Sequence, residues 1–212
     1  MDVPPLLWMM IPLAYMLGSI PTAVWVGKWF YSIDIRDHGS GNAGATNALR
    51  ILGPKAGIPV LLFDMLKGWL AVSLFHLQNE SLSGTEAENL ILIGLGLLAV
   101  IGHIFPVFAG FRGGKGVATI AGVCIAIVPA ATGLSLMVFI IVLLATKYVS
   151  LGSITAGISF PFWTIFVINE ASVSLWVFSV LASVLLVLTH RKNIIRLIRG
   201  EERKAGFLVK KG

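Results

Sequence analysis

"VATIAGVCIAIVPAATGLSLMVFIIVLLAT", residues 117–146, passes without a single charged side chain. About 20 apolar residues carry a helix across the hydrocarbon of a bilayer. The run is therefore long for one crossing and short for two. Read as one helix, it reverses every crossing that follows; read as two, it leaves them where they were. Val128-Pro129-Ala130, near its middle, offers a break, because proline has no N–H to give to the preceding turn.

The charges on either side decide between the two readings. Lys28, Arg36, Arg50 and Lys55 follow the first apolar stretch, Arg112 and Lys115 precede the run, and Lys147 closes it. A basic tail extends from Arg191 to Lys211, while Glu80, Glu86, Glu88 and Glu170 fall in the remaining connections. Basic loops stay on the cytoplasmic side, which requires an even number of crossings between Lys115 and Lys147. The run is thus predicted to be two short helices, with a re-entrant hairpin as the alternative that keeps the same sidedness. Other spans are predicted from about Pro4 to Phe30, Ala56 to Leu77, Asn89 to Phe108, Ser153 to Ile168 and Val173 to Thr189. The sum is an all-α integral membrane protein of seven transmembrane helices, with its N-terminus outside and its C-terminus cytoplasmic.

Composition agrees. Of 212 residues, 57% are hydrophobic and 12% charged, about half the charge of an average soluble domain. Net charge is +6, which the basic cytoplasmic loops explain without nucleic acid. The single cysteine, Cys124, lies in an apolar run, so neither a disulfide framework nor a cysteine metal site is expected. Asp2 stands where a signal peptide would carry basic residues, and the first apolar stretch is read as a permanent helix. No internal repeat or soluble domain is apparent, and residues 1–212 are expected to form one domain.

Three polar stretches fall on the cytoplasmic side of this topology. In "GSGNAGATNALR" (39–50), glycine lets backbone N–H groups converge on an anion. Ser40, Asn42, Thr46 and Asn47 add neutral donors there, and Arg50 adds a guanidinium that forks onto phosphate oxygens. In "GFRGGKGVAT" (110–119), Gly113, Gly114 and Gly116 surround Lys115 just ahead of an apolar helix, whose positive end favours an anion. "THRKNIIRLIRGEE" (189–202) is helical in pattern, with His190, Asn193 and Arg196 recurring at every third residue. Histidine titrates near neutrality and can hold or pass a proton. Tight turns and helix anchors account for a single stretch better than for all three gathered at one face. The three are expected to gather into a phosphate-handling site at the cytoplasmic lipid boundary. Asp64 and Lys67, three apart within an apolar helix, are expected to pair and act structurally. His103 is read as a packing residue.

At these residues the chain resembles the bacterial acyl-phosphate:glycerol-3-phosphate acyltransferases of phospholipid synthesis. "GSGNAGATNALR", "GGKGVAT" and "HRKNIIRLIRGEE" carry the resemblance in order, with "DMLKG" and "GSIP" beside them. It implies a seven-helix inner-membrane enzyme. The reaction it implies moves a fatty acyl group from acyl phosphate to the 1-hydroxyl of glycerol 3-phosphate, releasing lysophosphatidic acid and phosphate. By the resemblance, Ser40, Arg50, Lys115, His190 and Asn193 bind glycerol 3-phosphate, with Ser40, His190 and Asn193 nearest the chemistry. Gly41, Asn42, Gly44, Thr46, Asn47, Gly113, Gly114 and Gly116 are assigned to acyl phosphate, and Glu202 to integrity of the fold. No metal or cofactor is expected. The expected partners are the two substrates and the lipid bilayer, with the basic tail a candidate docking surface for the enzyme that makes acyl phosphate.

The donor is a mixed anhydride with a good leaving group, so alignment and charge neutralisation are the main needs. No aspartate stands five residues after His38, His76, His103 or His190, which disfavours a histidine–aspartate base of the acyl-CoA-dependent kind. Substrate-assisted deprotonation is expected, with the donor phosphate as base and Ser40 and His190 as positioners. Ser40 as a covalent acyl carrier is less favoured, because "GSGN" is not a nucleophile elbow. A transporter of a phosphate ester or anion is the alternative from another class. Its polar groups should lie near the membrane midplane, and here they flank spans on one side. A lipid phosphotransferase would want clustered aspartates for Mg²⁺.

Overall fold

The computed structural model describes residues 5–77 and 82–206. Asp2, Pro4, Glu80 and the basic tail beyond residue 206 lie outside the described residues. Helix is the dominant structure and no strand occurs among the described residues. The chain divides into two compact units, Met1–Ile127 and Val128–Gly212.

The first unit contains α1 (Pro5–Ser19), α2 (Thr22–Tyr31), the short α3 (Ala45–Ile51), α4 (Pro54–Ser73), α5 (Glu86–Ile104) and α6 (Val117–Ile127). Between α1 and α2 the axis bends by 44° at Ile20-Pro21, where proline cannot continue the hydrogen-bond ladder. Small residues then let the backbones close in. A Cβ on Gly18 would overlap the Ala99 backbone, and one on Gly102 the Tyr15 carbonyl, which locks α1 to α5. Gly68 and Gly122 do the same for α4 and α6, against the Thr119 and Met65 carbonyls. In lipid, where the hydrophobic effect does not drive helices together, close backbone approach supplies the dispersion contacts that do.

The second unit contains α7 (Pro129–Thr146), α8 (Val149–Phe162), α9 (Val173–Thr189) and α10 (Arg191–Ile198). A π-helical turn, Trp163–Val167, prolongs α8 just past Pro161. Between α9 and α10 the chain bends by 60° at His190.

The uncharged run breaks at Val128: α6 stops at Ile127 and α7 restarts with Pro129 in its first turn, where a missing N–H costs nothing. Among the described residues four segments are long and apolar enough to cross a membrane: Pro54–Leu77, Glu86–Ala109, Pro129–Thr146 and Val149–Val167. Counting each bent pair as one span brings the number to six. At 11 residues, α6 is about 16 Å long, well short of the roughly 30 Å hydrocarbon core.

Candidate active site

In the first unit the polar loop between α2 and α3 is shaped by one buried amide. Asn47 donates through Nδ2 to the carbonyls of Ile35 and His38, both at 3.0 Å, and its Oδ1 accepts the Ser40 N–H at 2.9 Å. That side chain pins both ends of the turn leading to Ser40. Gly39 and Gly41 hold positive φ there, and a Cβ on Gly39 would strike Asn47 itself. Ser40 and Thr46 are left exposed, with Arg50 half-buried on α3.

The glycine loop between α5 and α6 folds back on the end of α5. Gly113 N–H donates to the Ile104 carbonyl at 3.2 Å and Gly114 N–H to the His103 carbonyl at 3.1 Å. Two amides expected to face an anion thus cap the carbonyls that a helix end leaves unpaired. The glycines are required for space: a Cβ on Gly113 would overlap the His103 carbonyl, and one on Gly114 the His103 ring. Lys115 follows, half-buried, and Gly116 at φ +79° turns the chain into α6.

Arg36, paired with Asp34 across Ile35, joins these two loops. Arg36 Nε and Nη2 fork onto the Asp34 carboxylate at 2.9 and 2.7 Å, while Nη1 donates to the Ala109 carbonyl at 2.8 Å. Hydrogen bonds from Arg36 hold the Asp34 carboxyl well below the usual carboxylate range, and Asp34 raises the guanidinium in return.

Beneath the loops lies a buried ionic cluster. Asp64 Oδ1 pairs with Lys67 Nζ at 2.9 Å, accepts the Thr22 hydroxyl at 3.1 Å and lies 3.7 Å from His103 Nδ1. Lys67 also donates to the Ile20 carbonyl at 2.7 Å, at the bend between α1 and α2. Each ion has a partner, as burial of a charge demands.

The second unit builds from side chains on helices. His190, buried at the α9–α10 bend, has Nδ1 2.8 Å from the Leu186 carbonyl. A carbonyl only accepts, so the Nδ1 facing it carries a hydrogen. Glu202 is the hub of the rest. Its Oε1 accepts from Asn193 Nδ2 at 2.8 Å and from Ser150 at 3.0 Å, and its Oε2 lies 3.1 Å from Arg196 Nε. The strand of chain after α10 is held by Ala205 N–H on the Lys147 carbonyl at 2.7 Å.

From the sequence, Asp34 stands out only as a carboxylate on the cytoplasmic face, and neither Arg36 nor Ser150 is marked as part of the site. Arg36 was counted only as a cytoplasmic charge, although an aspartate two residues away was signal enough for a fork. Ser150 lies on an apolar helix with nothing beside it in sequence to mark it. His103 does pack, with its ring against Gly114.

Comparison with known proteins gives this architecture its class. The glycerol-3-phosphate acyltransferase family model matches residues 8–200. A glycerol-3-phosphate acyltransferase of Fusobacterium nucleatum is 42% identical over 200 residues, covering 93% of this chain and 97% of the relative. Glycerol-3-phosphate acyltransferase 2 of Bacillus anthracis is 44% identical over 192 residues, covering 91% and 95%. The crystal structure of PlsY (YgiH), an integral membrane glycerol 3-phosphate acyltransferase, in its glycerol 3-phosphate form, is 37% identical. It superposes with a TM-score of 0.83 over 93% of this chain and 94% of that one. The class is an all-helical integral membrane acyltransferase. The chain belongs to the glycerol-3-phosphate acyltransferase family, which sets the transporter alternative aside.

Proposed function

We propose that this enzyme transfers a fatty acyl group from acyl phosphate to the 1-hydroxyl of glycerol 3-phosphate, the first acylation of phospholipid synthesis. The products are lysophosphatidic acid and inorganic phosphate. The observation that carries the reading is the pairing of two glycine-shaped loops, one bearing Ser40 and Arg50 and the other Lys115, through a single guanidinium on the Ala109 carbonyl. Two phosphate-bearing substrates need such basic, close-fitting loops more than they need an acid–base dyad. PlsY is known in a glycerol 3-phosphate form and in a lysophosphatidic acid form, which supports acceptor and product. The distribution of basic loops supports seven crossings, counting the short α6 as one, with an outside N-terminus and a cytoplasmic site in the bacterial inner membrane. The whole chain then serves one reaction.

In this mechanism Ser40, Arg50, Lys115, His190 and Asn193 bind glycerol 3-phosphate. Arg50 and Lys115 neutralise phosphate charge that would otherwise keep two dianions apart. Gly41, Asn42, Gly44 and Thr46, with Gly113, Gly114 and Gly116, accommodate the acyl phosphate. Asn47 contributes by holding the turn, since its amide is committed to Ile35, His38 and Ser40. The 1-hydroxyl oxygen attacks the acyl carbonyl, the carbonyl carbon–oxygen bond to phosphate breaks, and the hydroxyl proton passes to the departing phosphate. His190 Nε2 orients the hydroxyl, and Glu202 keeps Asn193 in place.

The test is His190→Gln, which keeps hydrogen bonding and removes basicity. We expect turnover to fall by about tenfold or less, the scale of a hydrogen bond weakened by altered geometry. Turnover that vanishes while glycerol 3-phosphate still binds normally would make histidine the base and overturn phosphate-assisted deprotonation.

A further inference from the structure

We infer that the Asp34–Arg36 ion pair is a positioning device that registers the Lys115 loop against the Ser40–Arg50 loop. The inference rests on the acyl transfer proposed above and deepens it. Three features of the geometry carry it.

Arg36 uses its donors in two directions. The Nε–Nη2 edge is spent on Asp34 within its own loop, and Nη1 reaches 73 residues along the chain to Ala109. Asp34 also accepts the Arg36 backbone N–H at 3.0 Å, so carboxylate, main chain and guanidinium form one rigid fork. Lys28 stands 3.3 Å from the same carboxylate but is half-exposed, and an exposed pair adds little.

The Ala109 carbonyl is where such a contact is most useful. It ends the 3₁₀ turn Val107–Ala109, and Gly110 and Phe111, both with positive φ, then reverse the chain. Within the turn this carbonyl accepts only a long bond, 3.4 Å, from the Arg112 N–H, and a cation is favoured at such an end; Nη1 also lies 3.5 Å from the Arg112 carbonyl. The base of the same loop is fixed separately, by Gly113 and Gly114 on the last carbonyls of α5. Arg36 therefore holds the tip and α5 holds the base. Lys115 follows directly from the base.

The fork is also partly withdrawn from water: the side chains of Arg36 and Asp34 are 15% and 17% exposed. Neither group faces the ends of both loops as a ligand; each acts through the backbone it fixes. A lysine at position 36 can keep the ion pair, but its single nitrogen cannot fork onto a carboxylate and reach a second loop in the same geometry. Charge and bridging are thus separable by experiment.

Wild type, Arg36→Ala and Arg36→Lys are purified in detergent, and amide hydrogen exchange is followed by mass spectrometry beside steady-state kinetics with acyl phosphate. In both variants exchange in residues 106–116 should rise severalfold while the α4 and α5 cores keep their protection. kcat per folded enzyme should fall about tenfold to a hundredfold, the range for loss of a charge-assisted hydrogen bond, with the KM for glycerol 3-phosphate changing less than threefold. Arg36→Lys should fail to restore either reading. Unchanged exchange in residues 106–116, or full recovery by lysine, overturns the inference. Protection lost throughout the first unit would show a general stabilising role and overturns it as well. If wild type makes no product from acyl phosphate, the proposed reaction fails, and the exchange comparison still decides whether Arg36 registers the loops.

Discussion

The two units prepare polar groups by opposite means. In the first, Ser40, Arg50 and Lys115 ride on loops whose shape is set by main-chain hydrogen bonds, and glycine is present because neighbouring backbone occupies the space of a Cβ. In the second, His190 and Asn193 stand at a helix bend and at the start of a helix, and their orientation comes from other side chains and one carbonyl. The first region is therefore sensitive to volume and the second to charge. A substitution adding one methyl group should be severe in one and mild in the other, and removing a carboxylate should do the reverse.

The largest effect is expected where backbone meets backbone. Gly122→Val places branched carbon on the Met65 carbonyl and should cost roughly 3 kcal/mol or more, beyond ordinary overpacking, read as loss of the folded, monodisperse protein in detergent. Gly114→Ala is the sharper variant, because the intruding methyl meets the His103 ring. Activity should fall about a hundredfold, the scale of a small misplacement at a reacting centre. The double variant His103→Ala, Gly114→Ala should recover part of that loss, since the obstructing ring is gone. Equal activity of the two glycine variants and wild type would erase the contrast between the units.

Next in size is the charge test in the second unit. Glu202→Gln keeps an oxygen for Asn193 and Ser150 but ends the ion pair with Arg196, and should lower stability by about 1–2 kcal/mol. Glu202→Ala removes all three and should lose more, with kcat falling alongside. A methyl-sized change nearby, such as Ser150→Ala, should be the mildest of the set, measured by thermal melting. Indifference to Glu202→Ala would show that Asn193 is held by something else.

How far the sequence could be read follows the same division. The break at Val128, the helices and the three polar segments were legible because proline, charge and hydropathy act locally. Asp64 and Lys67 were legible because helical spacing brings them together on one element. The roles of Gly113 and Gly114 were legible only in part: glycine announces close approach, yet the sequence does not say whether a ligand or a helix end approaches. Here the helix end does, and their amides serve α5. Arg36 was invisible as a bridge because its partner carbonyl lies 73 residues away and a carbonyl leaves no mark in a sequence.

The smallest expected effect is on pH dependence. Asp34 is held low in the folded protein, chiefly by its hydrogen bonds from Arg36. A depressed carboxylate contributes fully above its unfolded pKa of about 4 and loses that contribution as pH falls through its folded value. Melting temperature should therefore be insensitive to this group from pH 7 to 5 and decline below about 4. Asp34→Asn should melt lower at neutral pH and show a shallower acid decline. Parallel curves for the variant and wild type would mean that the fork adds nothing to stability.

The donor is the claim on which the chemistry turns. Purified protein in detergent is offered glycerol 3-phosphate with either acyl phosphate or acyl-CoA, and lysophosphatidic acid is measured by mass spectrometry. Product from acyl phosphate alone is the predicted result; product from acyl-CoA alone would contradict it.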